Sequence, residues 1–155
     1  MLPAAGLDPP HARVGSLAYP ERTMPSIFTR IINGEIPSHA VYEDDDTFAF
    51  LDISPARPGH TLVVPRAEVP YLFDLEPGDY ESLWRAVRVV ATALKSATGC
   101  ERVLVAAYGA DVPHAHVHLI PLEAGAIIPF PEPTTASPEE LTAMAERIRA
   151  GLGSG

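Results

Sequence analysis

The sequence has a single cysteine, Cys100, in 155 residues. That excludes an internal disulfide framework and any Cys-rich zinc site. A chain so poor in thiols fits a reducing compartment, and a cytoplasmic location is expected. No apolar run approaches the roughly 18 residues of a membrane-spanning helix, so no membrane partner is expected. No charged start followed by an apolar stretch marks a secretory leader. Basic residues are also few: 11 Lys and Arg stand against 20 Asp and Glu, a formal charge of −9. Broad nucleic-acid binding needs cations that displace counterions, so nucleic acid is not an expected partner. A small anion held in a local pocket stays open. What the chain does have is 46% apolar residues, enough to bury a core at a length that suits one domain with tails.

Proline is plentiful and uneven. Of 17 prolines, five lie in residues 1–25 and four in 129–138. Pro3, Pro9, Pro10 and Pro20 deny helix to the first stretch, which shows no apolar period. Residues 1–23 are therefore expected to be a disordered or extended tail. Residues 24–123 read as the folded domain. Residues 124–155 read as a Pro-rich segment ending in a helix. There Ser137-Pro138-Glu139-Glu140 supplies a capping serine, a first-turn proline and a glutamate three residues on, which predicts a helix from about 138 to 150.

Within the domain, Ile27-Phe28-Thr29-Arg30-Ile31-Ile32 has the spacing of a short helix, stopped by Asn33-Gly34. Val41-Tyr42-Glu43 and Thr47 to Asp52 read as a hairpin, with Glu43, Asp44, Asp45 and Asp46 as a solvated turn. Pro55 and Pro58-Gly59 mark another turn before the β-rich Thr61-Leu62-Val63-Val64-Pro65. Leu83, Val87, Val90 or Ala91, and Leu94 recur at helical spacing over 78–98, and Gly99 sits where a C-cap glycine belongs. Val103 to Ala107 and His114 to Ile120 read as the last strands. The fold class is α+β: an antiparallel sheet of about five strands, one long helix and a short N-terminal helix.

Three of the six histidines lie within five residues, His114-Ala115-His116-Val117-His118. On a strand they would project from one face at roughly 6.5–7 Å spacing, with Ala115, Val117 and Leu119 turned into the core. Three readings fit: a polar solvent face, a metal site built on His-x-His, or nucleophilic and acid–base chemistry on an anion. No cysteine or carboxylate follows at ligand spacing. Clustered imidazoles also couple their titrations, so one ring can stay neutral while another is charged.

The run His114-Ala115-His116-Val117-His118-Leu119-Ile120 resembles the histidine triad motif, His-φ-His-φ-His-φ-φ, of the HIT superfamily. The likeness extends further. Ile27 to Ser38 resembles the family's opening helix, and Val41 to Asp45 with Phe48 to Pro55 its first hairpin. Pro58-Gly59-His60-Thr61-Leu62-Val63-Val64-Pro65-Arg66 resembles the strand after it. The match runs in order over about 26–122, and the nearest branch is the Hint-type, protein-kinase-C-interacting-protein-like group.

The resemblance implies a HIT-like fold and a purine-nucleotide-binding hydrolase acting at the α-phosphate. The substrate would be a nucleoside phosphoramidate or a related nucleotide, with no metal or other cofactor. It implies that His116 is the nucleophile, that His118 contacts phosphate oxygens, that His114 orients the nucleophilic ring, and that His60 supports the triad. Asp52 matches the ribose-binding acid. Ile27, Phe28, Phe50 and Ile53 match apolar positions around the base, each of which could equally be plain core. A homodimer is implied as well. The alternatives are a dinucleoside polyphosphate hydrolase or nucleotidyltransferase, or a non-catalytic nucleotide-binding module.

The chain departs from the Hint pattern before the triad. Ala107-Tyr108-Gly109-Ala110-Asp111-Val112-Pro113 is short and lacks the Asn, Gln and Ser that donate to phosphate in such relatives. Backbone N–H groups around Gly109 are the expected replacement donors. Asp111 would repel a phosphate and is expected either to face a cationic or amine leaving group or to cap a turn.

Overall fold

The computed structural model describes residues 24–107, 109–126 and 133–153. The expected tail at 1–23 and the prolines at 129 and 131 lie outside the described residues. Helix α1 (Ile27–Ile32) opens the described chain, capped by Ser26, whose hydroxyl oxygen accepts the N–H of Thr29 at 3.1 Å. Strands β1 (Ala40–Glu43), β2 (Thr47–Leu51) and β3 (Thr61–Pro65) follow, then helix α2 (Pro77–Thr98), β4 (Arg102–Ala106), β5 (Val117–Leu122) and helix α3 (Pro138–Gly151). Among the described residues the five strands form one sheet in the order β1-β2-β3-β5-β4, with antiparallel neighbours throughout. The expected α+β architecture is observed.

Alternation along the strands builds two cores. Ala49 and Leu51 of β2, Val63 of β3, and Val117 and Leu119 of β5 face the layer made by α2 and α3. Phe48, Phe50, Leu62 and Val64 face the other way and pack with Phe28 of α1. Strands β2 and β3 are therefore buried on both faces, and each fully buried Val, Leu or Phe there stabilises the fold by about 1.5–3 kcal/mol.

Helix α2 starts with Pro77 in its first turn and ends at Gly99, which adopts φ +69° and donates its N–H to the carbonyl of Lys95. Its expected stripe, Leu83, Val87, Val90 and Leu94, is buried against the sheet. Helix α3 has the full capping box between Ser137 and Glu140 and buries Leu141, Ala145 and Ile148. It crosses α2 closely, because a Cβ on Gly151 would stand 3.0 Å from the carbonyl oxygen of Ala93.

The acidic turn is exposed, as expected, but Asp44 is also a local anchor. Its Oδ1 accepts the N–H of Asp46 at 3.0 Å and the N–H and hydroxyl of Thr47 at 2.7 and 2.8 Å. Its Oδ2 accepts the Tyr42 hydroxyl at 2.8 Å. Partial burial works against the charged carboxylate, but these bonds outweigh it and hold the Asp44 pKa below its usual value.

The histidine run corrects the expected strand. Strand β5 begins at Val117, so only His118 of the three imidazoles stands on it. The N–H of His114 turns back to the carbonyl of Val112, and that of Ala115 goes to the carbonyl of Val69, which takes the chain out of the ladder before the strand starts. Nor do the imidazoles face outward. His114, His116 and His118 are all buried, while Ala115, Val117 and Leu119 enter the opposite core as expected.

Candidate active site

Helix α1, the loop before β3 and the segment leading into β5 converge on four imidazoles. Phe28 presents its ring edge-on to both His116 and His114, with centroids 5.2 and 5.9 Å apart. His116 and His118 lie 5.0 Å apart, centroid to centroid. His60, just before β3, meets His118 with Nε2 2.9 Å from Nδ1.

Partners that can only donate or only accept fix the proton on each neutral ring. His114 Nε2 lies 2.7 Å from the carbonyl oxygen of Pro65, so Nε2 carries the hydrogen and Nδ1 accepts the Ser26 hydroxyl at 2.7 Å. His116 Nδ1 lies 2.7 Å from the carbonyl oxygen of His114, so Nδ1 carries the hydrogen and Nε2 keeps a bare lone pair. His60 Nδ1 accepts the N–H of Ala56 at 3.1 Å, so His60 donates from Nε2 to His118 Nδ1. The proton of His118 is thereby on Nε2.

Burial favours the neutral form of His118, His60 and His114. Burial pushes His118 down to about 4, helped by the neighbouring His116 and His60 and opposed by the charge of Asp111. Burial likewise lowers His60, against the pull of Asp52. It lowers His114, against the Pro65 carbonyl and the charge of Glu68.

The remaining expected residues divide. Phe28 and Phe50 are buried and pack against each other with centroids 5.5 Å apart, so they form the floor of this face. Ile27 and Ile53 are 49% and 70% exposed, so neither belongs to the core. Asp52 caps a turn, its Oδ1 accepting the N–H of Ser54 at 2.8 Å, while its Oδ2 lies 3.7 Å from His60 Nδ1. Gly109 has φ +63°, a left-handed conformation, and Asp111 is exposed with its charge reaching His118.

A second set of residues carried no sequence signal for this site. Ser26 donates its N–H to Glu68 Oε2 at 3.0 Å, and the Thr29 hydroxyl donates to the same oxygen. A line of Glu68, Thr29 and Ser26 thus ends on the ring of His114. Only the capping role of Ser26 ahead of α1 has a sequence signature. Among the described residues, Asp52, His60 and His118 each bring a ligand atom within 4.8 Å of the others. His60 Nε2 and His118 Nδ1 are engaged with each other, so a cation taking those two atoms would have to break that bond.

Comparison with known proteins agrees with this arrangement. The HIT domain family model matches residues 33–125. An uncharacterized HIT-like protein of Borreliella burgdorferi is 38% identical over 102 residues, covering 61% of this chain and 73% of that protein. The purine nucleoside phosphoramidase of Escherichia coli K12 is 36% identical over 101 residues, covering 61% and 85%. The crystal structure of a Hit-like protein from Bartonella henselae superposes with a TM-score of 0.74 at 36% identity, covering 81% of this chain and 95% of that one. With its histidine run, sheet order and matched residues in agreement, the chain belongs to the HIT family.

Proposed function

We propose that the protein hydrolyses purine nucleoside phosphoramidates through a nucleotidyl-histidine intermediate. The observation that carries this reading is the bare Nε2 of His116, held so by the His114 carbonyl on the opposite ring nitrogen. The lone pair of Nε2 attacks the α-phosphorus, and the bond from phosphorus to the leaving nitrogen breaks. The departing amine takes a proton from solvent. Water then cleaves the new N–P bond, returns that proton and releases the nucleoside monophosphate. As His116 becomes cationic, the His114 carbonyl stabilises the hydrogen on Nδ1. The Nε2–H of His118 donates to a phosphoryl oxygen where charge develops.

Asp52 takes the ribose hydroxyls with the oxygen it does not use to cap its turn. Ile27 and Ile53 clasp the base above the floor of Phe28 and Phe50. The Gly109 turn directs backbone N–H groups at the phosphate. No step calls for a metal. A homodimer fits the edge position of β4, where Val105 is 46% exposed, and the outward Val89 of α2. The name and 36% identity of the Escherichia coli relative support the substrate class.

The test is a rapid acid-free quench with adenosine phosphoramidate labelled in the nucleotide. Label is expected on His116 in the wild type and absent from H116N. Slower turnover of this substrate than of diadenosine polyphosphate would sink the phosphoramidase assignment. Absence of trapped label during turnover would sink the covalent route.

A further inference from the structure

The C-terminal segment, outside the residues matched by the family model, reaches the triad through one peptide group. Thr134 donates both its N–H and its hydroxyl to the carbonyl oxygen of Pro55, at 2.9 and 2.7 Å. The same peptide unit carries the N–H of Ala56, which donates to His60 Nδ1 at 3.1 Å. That bond sets the tautomer of His60, and His60 sets that of His118.

We propose that Thr134 is a positioning residue for the triad, acting through the Pro55–Ala56 peptide on His60 and His118. Two donors on one carbonyl hold the plane of that peptide and polarise it, which makes the Ala56 N–H a stronger donor. If the peptide rotated, Ala56 would no longer face His60. Nδ1 could then take the hydrogen, turning toward the Asp52 carboxylate 3.7 Å away. His60 Nε2 would become an acceptor, and the hydrogen of His118 would move to Nδ1, away from its proposed phosphate-facing position.

The loop needs such a hold. A cleft of about 300 Å³ lies between Pro55, Pro58 and Gly59 on one side and Leu141 and Met144 of α3 on the other. Close packing therefore does not brace the loop on that side, and hydrogen bonds do. The tautomer relay stands on the geometry alone, while its effect on turnover rests on the phosphoramidase reading.

The experiment is ¹⁵N imidazole spectroscopy on the full chain, with kcat and KM for adenosine phosphoramidate, in wild type, T134V, T134S and S137A. T134V keeps the N–H and the branched shape but removes the hydroxyl. The expected result is a shift of the His60 and His118 signals toward mixed tautomers in T134V. Its kcat should fall about threefold to tenfold, the size of one ordinary hydrogen bond, with KM near wild type. T134S should restore both. S137A uncaps α3 without touching Pro55 and should leave the ring signals unchanged. Wild-type signals in T134V, or equal shifts in T134V and S137A, would overturn the proposal. If the wild type turns over no phosphoramidate, the functional reading fails while the ring signals still decide the relay.

Discussion

The Nδ1 of His116 lies 2.7 Å from the carbonyl oxygen of His114, two residues back along its own chain. The orientation of one ring is thus set by the backbone of the other, and whatever holds His114 also holds His116. His114 is held at both nitrogens, by the Pro65 carbonyl and by the Ser26 hydroxyl.

Replacing Ser26 by alanine removes the helix cap and the nearer of the two hydroxyls at His114 Nδ1, leaving only that of Thr29 at 3.4 Å. A cap contributes about 1 kcal/mol, and an unsatisfied buried acceptor costs about 1–3 kcal/mol. We expect S26A to melt earlier and to lose about tenfold or more in kcat. S26T, which retains a capping hydroxyl, should recover most of both in thermal melts and steady-state kinetics. Equal kcat in S26A and wild type would contradict the link to His116.

Gly59 adopts φ +93°, and a Cβ there would stand 2.9 Å from Leu94 Cδ1 and 3.2 Å from Pro121 Cγ and Thr98 Cγ2. G59A combines backbone strain with overpacking, and a loss of about 1–3 kcal/mol is expected in denaturant unfolding. Because His60 follows directly, activity per folded molecule should fall too.

Stability should depend on pH through the buried imidazoles. His118 falls from the ordinary 6.5 to about 4 in the folded chain, so between those values the unfolded chain binds the proton and the folded one does not. The stabilising contribution is complete above about pH 6.5 and is lost as pH falls toward 4. From this ring alone it amounts to roughly 3 kcal/mol. His60 and His114 shift in the same direction and add to the loss. Unfolding free energies from pH 7.5 to 4 should decline with net proton uptake on unfolding, and a flat profile would contradict the burial of neutral rings.

Asp111 is exposed at the edge of the triad, and its charge reaches His118. D111N should raise kcat/KM for an anionic leaving group relative to an amine by about twofold to fivefold at low ionic strength, an effect that salt should reduce. A uniform change across leaving groups would reduce Asp111 to a turn residue.

The elements were largely legible because their signals are local. Apolar spacing marks α2, and the turn at Asp44 separates β1 from β2. Ser137 and Glu140 announce the start of α3. The start of β5 is not legible, because alternation alone cannot show that the N–H groups of His114 and Ala115 bond outside the ladder. His114, His116 and His118 are legible from the motif and His60 from the resemblance of the segment around it, but not what holds them. Ser26 reaches His114 across 88 positions, and Thr134 reaches Pro55 across 79. Such pairings leave no period or spacing in the chain, because a hydroxyl serves equally well wherever the fold brings it near.

The close crossing at Gly151 and Ala93 bears on how this molecule can be shortened. Ile148, Leu141 and Ala145 are sealed between α2 and the sheet, so cutting the gene after the matched region, at residue 125, would strip a wall from the interior. The trimmed polypeptide would present an oily scar and is expected to clump rather than to behave as a minimal version of the protein.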